Sequence, residues 1–252
     1  MTTPELRGPL DGQRIVVTGG ARGLGEAMAV ALVQSGAHVV VADIDPAALD
    51  EMLDRHPAER SQLRAEVLDV TDEAAVGAFA QKLFSEFGGI DTVFANAGIV
   101  LVKPSVQLSN TDLQRVLDIN VLGTFATARE FGSRMIQQGH GKIIATASQA
   151  GNRGAAEWTS YCASKAAVIS LTQSLASEWG PAVTVNAIAP GAVRTHINAH
   201  VMSDAAAAAL TAGTPAGRLA VPEDFGPLAV FLAGPGSDMM SGSVVVMDGG
   251  AL

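Results

Sequence analysis

The chain has 252 residues, of which 48% are hydrophobic and 4% aromatic, and its formal net charge is −9. This length suits one α/β unit whose core is built mostly from Ala, Val, Leu and Ile. The acidic balance argues against nucleic acid, which needs clustered Lys and Arg, and no apolar run approaches the roughly 20 residues of a membrane span.

Runs of β-forming residues alternate with helical patterns, which is typical of a parallel sheet covered on both faces. The predicted strands are Arg14–Thr18, His38–Ala42, Arg64–Asp69, Thr92–Ala95, Lys142–Thr146, Thr184–Ile188 and Val244–Met247. The predicted helices lie near Gly25–Ser35, Pro46–Arg55, Asp72–Phe87, Thr111–Gln137, Tyr161–Trp179 and Pro222–Leu232. Seven strands joined by six crossovers predict an α/β fold with one doubly wound, seven-stranded parallel sheet flanked by helices on both faces.

The domain organisation predicted from composition is simple. No linker or change in composition divides residues 1–252, so we expect one domain. The least regular stretch runs from about residue 190 to 222 and includes the helix-forming, Ala-rich segment Asp204–Leu210. A loop of that length within a compact domain is usually a substrate lid.

A glycine-rich loop, Thr18–Gly25, follows the first strand and opens the first helix. Its glycines let the backbone approach a pyrophosphate, which the N–H groups and dipole of the helix N-terminus stabilise. The predicted dinucleotide contacts are Gly19, Arg22, Gly23, Leu24 and Gly25. A plain αβ turn is the alternative, and a P-loop is excluded because Glu26 stands where that motif requires Lys.

Cofactor preference is predicted from Asp43, at the end of the second strand. A carboxylate there accepts hydrogen bonds from the ribose hydroxyls of the adenosine and repels a 2′-phosphate, which favours NAD over NADP. Arg22, in contrast, favours NADP, since its cation could bind the 2′-phosphate. A turn or cap residue before Pro46 is the alternative role for Asp43.

Two further strand ends are predicted to contact the cofactor. Asn96, Ala97 and Gly98 follow the fourth strand, where small side chains leave room for a ribose. Asp69 and Val70 follow the third strand and are placed to face the adenine, although Asp69 is equally compatible with ordinary turn chemistry.

Tyr161 and Lys165 are four residues apart on a predicted helix, so their side chains share a face. A phenol titrates near pH 10, too high for a base at neutral pH. An ammonium about 5 Å away, at an effective dielectric constant of about 20, supplies roughly 3 kcal/mol, or about two pKa units. We therefore predict that Lys165 lowers the pKa of Tyr161, which serves as the base in alcohol oxidation and the acid in ketone reduction.

Two more residues complete the predicted chemistry. Ser148, at the end of the fifth strand, offers a hydroxyl to hold the substrate oxygen beside the phenol of Tyr161. Asn120 lies inside a long helical run although Asn is a poor helix former, and we expect its amide to bind a water that passes protons to Lys165. Isolated Tyr-x-x-x-Lys is a weak pattern, but it gains weight from Ser148 and the upstream glycine-rich loop.

These motifs closely resemble those of the short-chain dehydrogenase/reductase family over essentially all of residues 13–250. The resemblance rests on Thr18–Gly25, Asp69-Val70, Asn96-Ala97-Gly98, Asn120, Ser148, Tyr161 and Lys165, Asn186, Pro190-Gly191 and Asp248-Gly249-Gly250. It implies a Rossmann fold, hydride transfer and a catalytic tetrad of Asn120, Ser148, Tyr161 and Lys165. It further implies that Lys165 binds the nicotinamide ribose, and that family members are usually homotetramers. The residues implied to line the nicotinamide site are Pro190, Gly191, Val193 and Thr195.

The substrate is less closely defined than the reaction. Acyl-carrier-protein reductases of the family favour a basic docking surface, which this acidic chain lacks, so relatives acting on sugar acids, polyols or small secondary alcohols look nearer. Gln149, Trp158 and residues 194–213 are expected to shape the pocket, together with Ser148 and Tyr161. An NADPH-dependent carbonyl or 3-oxoacyl reductase and a non-catalytic NAD-sensing protein remain alternatives.

Other signals are set aside. His196 and His200 are spaced like a metal pair, but no third ligand is obvious, so no metal is expected. No Gly-x-Ser-x-Gly motif surrounds Ser148, which disfavours a serine hydrolase. The lone Cys162 is interpreted as a small buried thiol and fits a reducing cytoplasm. The first residues, from Met1, lack a basic region followed by an apolar run, so we expect no signal peptide.

Overall fold

A computed structural model of the chain describes residues 8–194 and 204–251; the predictions for Thr195, His196 and His200 lie outside these residues. The strands are β1 (Arg14–Thr18), β2 (His38–Asp43), β3 (Leu63–Val67), β4 (Thr92–Ala95), β5 (Gly141–Thr146), β6 (Val183–Pro190) and β7 (Val244–Met247). They form one sheet in the order β3-β2-β1-β4-β5-β6-β7, and each neighbouring pair is parallel. This confirms the predicted doubly wound sheet, whose order reverses between β1 and β4.

The helices connect successive strands on both faces of the sheet. They are α1 (Gly23–Gln34), α2 (Pro46–Arg55), α3 (Glu73–Phe87), α4 (Asn110–Leu117), α5 (Thr124–Gln138), α6 (Thr159–Trp179), α7 (Asp204–Ala212) and α8 (Gly226–Ala233). No helix within the described ranges is long and apolar enough to cross a membrane.

Two apolar layers hold the helices against the sheet, because successive strand residues point to opposite faces. In β1, Ile15 and Val17 pack in the layer that includes Met28 of α1, whereas Val16 packs in the layer that includes Phe131 of α5. β2 divides in the same way between the two layers. Burial on both faces explains why these strands are continuously apolar instead of alternating.

The predicted helix Thr111–Gln137 is not a regular α-helix along its length. α4 and α5 are joined by a π-helical turn over Asp118–Gly123, which contains the buried Asn120. Such turns widen the helix locally and are frequent at functional sites. The start of α4 has a capping box between Ser109 and Asp112, a signal that the sequence carries one residue before the helix begins.

Several boundaries differ from the predicted ones at the edge where ligands bind. β3 ends at Val67, before the predicted Asp69, because a carboxylate oxygen of Asp69 accepts hydrogen bonds from the N–H and hydroxyl of Thr71 and forms a turn. β6 continues to Pro190, two residues beyond the predicted end, because it pairs with β7 there. α7 lies inside the predicted 190–222 lid.

Candidate active site

A cavity of about 460 Å³ lies along the carboxyl ends of the strands. The predicted residues that border it are Gly19, Arg22, Gly23, Leu24, Gly25, Asp43, Asp69, Val70, Asn96, Ala97, Gly98, Ser148, Tyr161, Lys165, Pro190, Gly191 and Val193. Sequence reasoning missed Ile44, Leu68, Ile99, Ile119, Thr146 and Ala147, whose only signal is that each adjoins a motif residue or a strand end. Asn120, Gln149 and Trp158 do not border this cavity.

The glycine-rich loop gives one end of the cavity the properties of an anion site. Gly19 has a φ of 62°, and a Cβ there would lie 2.6 Å from the Cα of Ala97, so neither the backbone nor the packing admits a larger residue. α1 begins at Gly23, and the side chain of its N-cap residue, Arg22, makes no capping hydrogen bond. α2 and α3, in contrast, are each capped by an aspartate. The N–H groups at the start of α1 therefore remain available to a pyrophosphate, as the dinucleotide requires.

Asn96 holds the glycine-rich loop in place. Its amide nitrogen donates to the carbonyl oxygens of Thr18 at 3.0 Å and Gly19 at 2.9 Å. Its oxygen accepts a 3.0 Å hydrogen bond from the hydroxyl of Thr146, at the end of β5. The sequence analysis predicted that small side chains here leave room for a ribose. In the structure, the side chain of Asn96 instead joins the ends of β1, β4 and β5.

Two acidic residues determine the charge at the end of β2. The carboxylate of Asp43 accepts hydrogen bonds from the N–H of Ala21 and the N–H of Asp45, each at 3.2 Å. Asp45 forms a 2.9 Å ion pair with Arg22. The N–H of Ala48, and next the guanidinium of Arg22, lower the pKa of Asp45. The cation that counted in favour of a 2′-phosphate is thus already paired with a carboxylate.

Tyr161, Ser148 and Lys165 meet at the other end of the cavity. The hydroxyl of Ser148 is close enough to the Tyr161 phenol to lower the pKa of that phenol; it accepts a 3.1 Å bond from the N–H of Ala150 and donates to the carbonyl oxygen of Pro190 at 3.5 Å. Lys165 is 3% exposed; its Nζ lies 5.7 Å from the centroid of the Tyr161 ring and donates a 2.6 Å hydrogen bond to the carbonyl oxygen of Thr146. The predicted contact between phenol, hydroxyl and ammonium is therefore present in space.

The prediction that Lys165 lowers the pKa of Tyr161 is wrong when only the groups of the protein are considered. Burial raises the pKa of Tyr161 above its ordinary value, and the hydrogen bond from Ser148 offsets that only in part. Burial also lowers the pKa of Lys165 to about 8. The prediction considered only the attraction between the Lys165 ammonium and the Tyr161 phenolate. Burial disfavours the charged form of each group, and this effect is the larger one here.

The side chain of Asn120 is held by protein groups, and its binding of a water stays a prediction. Its Nδ2 donates to the carbonyl oxygen of Ile99 at 2.9 Å and to the hydroxyl of Ser164 at 3.0 Å. Its Oδ1 accepts a 2.8 Å hydrogen bond from the N–H of Ile99. Both amide protons are therefore used to join the loop after β4 to α6, which makes Asn120 a positioning residue for the helix that holds Tyr161 and Lys165.

The predicted substrate-pocket residues lie beside this group. Trp158 packs edge-on against Tyr161, with ring centroids 5.6 Å apart and planes at 73°. Gln149 is buried, and its Nε2 donates a 2.9 Å hydrogen bond to Asp248, which follows β7. The sequence analysis counted Asp248 in the closing Asp248-Gly249-Gly250 motif of the family resemblance but did not assign it to the site.

The described part of the chain contains no group of three or more His, Cys, Asp or Glu side chains suited to a metal ion. Cys162, next to Tyr161 on α6, is partly buried.

Comparisons with known proteins place this geometry among related chains. A family model described as enoyl-(acyl carrier protein) reductase matches residues 19–251. The chain is 40% identical to a galactitol 2-dehydrogenase from Agrobacterium fabrum, over 96% of this chain and 98% of that protein. A short-chain type dehydrogenase/reductase from Mycobacterium marinum has a solved structure that matches with a TM-score of 0.91 and 35% identity, covering 96% of each chain. A gluconate 5-dehydrogenase from Burkholderia cenocepacia, solved with NADP and tartrate, matches with a TM-score of 0.90 and 32% identity, also covering 96% of each chain.

Proposed function

Because the chain belongs to the short-chain dehydrogenase/reductase family, we propose that it is an NAD(H)-dependent dehydrogenase that interconverts a secondary alcohol and its ketone, with polyols and sugar acids as the nearest substrate class. One observation carries this proposal. Ser148, Tyr161 and Lys165 border a cavity that also reaches the uncapped N-terminus of α1. An acid/base group and a pyrophosphate site thus share one cavity.

The roles of the residues follow from their contacts. Tyr161 takes the proton of the substrate hydroxyl during oxidation and returns it during ketone reduction, while Ser148 holds the substrate oxygen. Lys165 binds the nicotinamide ribose, and Asn120 positions α6. The bound nicotinamide supplies the hydride acceptor or donor. The protein's own groups raise the pKa of Tyr161, whereas the positive ring of the oxidised cofactor would lower it.

The remaining contacts to the cofactor are assigned by their place along the cavity. The adenosine end is bordered by Asp43, Asp69 and Val70, and the nicotinamide end by Pro190, Gly191 and Val193, with Thr195 next in the chain. Ala97 and Gly98 lie between the two ends, where the sheet order reverses.

NAD is favoured over NADP by the charges at the end of β2. A 2′-phosphate would lie near the carboxylate of Asp43, and the nearby cation of Arg22 is already paired with Asp45. The gluconate 5-dehydrogenase solved with NADP shows that a chain of this family accepts the phosphorylated cofactor, so parallel titrations with NAD and NADP are needed. Tighter binding of NADP would contradict our assignment of Asp43.

The assembly, location and partners of the protein are proposed from its composition and surface. We propose a homotetramer in the cytoplasm, with a small-molecule substrate and neither nucleic acid nor membrane as partner. The net charge of −9 and the single cysteine support this setting. Phe231 on α8 is 45% exposed and Met239 is 97% exposed, which suits a face covered by another subunit. Light scattering of the purified protein tests the assembly, and a monomer would contradict it.

The proposed activity is tested by a substrate screen that follows NADH absorbance. Polyols, sugar acids and small secondary alcohols are offered with NAD, and the corresponding ketones with NADH. Turnover of 3-oxoacyl substrates with NADPH alone would favour the alternative of an NADPH-dependent 3-oxoacyl reductase. Tight NAD binding without turnover of any alcohol or ketone would favour a sensor.

A further inference from the structure

Asp248 lies beside the substrate end of the cavity although it is distant from the site in sequence. It follows β7, which pairs with β6. The N–H of Gly191, a cavity residue, donates to the carbonyl oxygen of Met247 at 3.0 Å. A Cβ on Gly191 would lie 2.5 Å from the Cβ of Asp248, so these two residues are packed directly together. Asp248 therefore lies directly behind Gly191, which forms part of the cavity wall.

Asp248 fixes the orientation of the Gln149 amide. Its Oδ2 accepts the 2.9 Å hydrogen bond from Gln149 Nε2, and its Oδ1 accepts a 2.9 Å bond from the N–H of Gly250. A carboxylate only accepts, so the nitrogen of the amide must face Asp248 and the oxygen must face away from it. Within residues 8–194 and 204–251, no hydrogen bond reaches Gln149 Oε1. This oxygen is not among the fully buried side-chain atoms that lack a partner, so it is an acceptor open to a ligand on the residue next to Ser148.

The charge of Asp248 is not neutralised locally. No Lys, Arg or His of the described ranges forms an ion pair with it. The guanidinium of Arg153, which is exposed, donates to the carbonyl oxygen of Ala251 at 3.0 Å. Arg153 is thus a cation near the same end of the chain, and its exposure to water weakens its field.

We propose that Asp248 and Gln149 determine substrate specificity, selecting neutral polyols over sugar acids; this inference rests on the proposed dehydrogenase function. Gln149 Oε1 accepts a hydrogen bond from a substrate hydroxyl one or two carbons from the reacting carbon. Asp248 holds that amide and repels a substrate carboxylate. The repulsion acts on an anion but leaves a neutral polyol unaffected, and it therefore changes relative substrate preference.

The experiment compares kcat and KM for galactitol, sorbitol and gluconate with NAD, using the wild type, Asp248→Asn and Gln149→Leu. Asn retains an oxygen for Gln149 Nε2 and removes the charge, so Asp248→Asn should raise kcat/KM for gluconate relative to sorbitol at least about tenfold. Gln149→Leu should raise the KM of the polyols by about tenfold while changing kcat less. Arg153→Gln is the matched control, and it should change the gluconate-to-sorbitol ratio less than threefold or lower it.

The possible results distinguish failure of the specificity inference from failure of the proposed dehydrogenase function. A preference of the wild type for gluconate, or an unchanged ratio in an Asp248→Asn protein that still binds NADH, would overturn the specificity inference and leave the dehydrogenase intact. Loss of NADH binding in Asp248→Asn would also overturn it, because Asp248 would then be structural. A wild type that turns over no alcohol at all would overturn the proposed function, and the inference with it.

Discussion

The ammonium of Lys165 donates a 2.6 Å hydrogen bond to the carbonyl oxygen of Thr146, and the hydroxyl of Thr146 donates in turn to Asn96. Asn96 holds Thr18 and Gly19. The two ends of the cavity, one at the glycine-rich loop and one at Lys165, are therefore joined by a continuous chain of hydrogen bonds. The position of Lys165 is fixed by this chain before any ligand binds.

Replacing Lys165 by Met should stabilise the folded protein at neutral pH while removing its activity. The pKa of Lys165 is about 8 in the folded state against 10.5 for an ordinary lysine. Between these values the unfolded chain binds more protons, so the wild type gains stability as pH rises from about 8 to 10.5 and lacks that stability below pH 8. Met avoids the cost of the buried charge but loses the bond to Thr146. We expect the free energy of unfolding at pH 7 to rise by about 1–3 kcal/mol.

Urea unfolding at pH 7 and pH 10.5 measures this effect. The difference between Lys165→Met and the wild type should shrink at the higher pH, because the folded wild-type lysine is then neutral and no charge remains buried. A variant less stable than the wild type at pH 7 would show that the bond to Thr146 outweighs the buried charge.

Tyr161→Phe should lower kcat by about 10²–10⁴-fold, the usual contribution of a general acid or base. The Kd of NADH, measured by fluorescence titration, should stay within about twofold, because the ring and its packing on Trp158 are retained. Lys165→Met should weaken NADH binding as well as rate. Equal cofactor affinity in the two variants would mean that Lys165 does not contact the cofactor.

The pH profile should follow the raised pKa of Tyr161. Oxidation needs the phenolate and ketone reduction needs the phenol, so oxidation should accelerate as pH rises above neutral and reduction should slow. Initial rates in both directions between pH 6 and pH 10 check the sign. Oxidation that is fastest in acid and falls with rising pH would contradict the role of Tyr161.

Removing charge at the end of β2 should shift the cofactor preference. Asp43→Ser should raise the ratio of NADP to NAD in kcat/KM by about tenfold, since the carboxylate no longer repels a 2′-phosphate. Adding Asp45→Ser should raise it further, because Arg22 is released from its ion pair while Ser still caps α2. Asp72→Ser, the same change at the start of α3, is the control and should leave the ratio unaltered. A ratio insensitive to both Asp43 and Asp45 would contradict the assignment.

Gly19→Ala and Gly12→Ala separate backbone strain from packing. Both glycines have positive φ, 62° and 75°, so each alanine costs about 1–2 kcal/mol in that conformation. Only at Gly19 would the added Cβ meet a neighbour, the backbone of Ala97, while Gly12 has nothing within 4 Å. Thermal unfolding should show a loss larger by about 1–3 kcal/mol for Gly19→Ala, together with loss of NADH binding. Equal losses would show that the loop yields to the methyl group.

Much of the fold is predictable because its signals are local. Strand runs, the glycine-rich loop and the Tyr161–Lys165 spacing each depend on residues close in sequence, and parallel strands bring their carboxyl ends to one edge. The π-helical turn at Asn120 was missed because it depends on Ile99 and Ser164, which fix the amide from outside the helix. The direction of the Tyr161 pKa was missed because burial is a property of packing.

By itself, the sequence predicted which residues would carry the chemistry, and it indicated the edge of the sheet along which they gather. Local backbone preferences and strand order are enough for that. Only the tertiary structure decided which of them act as supports, as Asn96 and Asn120 do, and which distant groups join them. Gln149 and Asp248 are 99 residues apart along the chain and 2.9 Å apart in space. No periodicity encodes such a contact, because it exists only after β5, β6 and β7 have packed side by side.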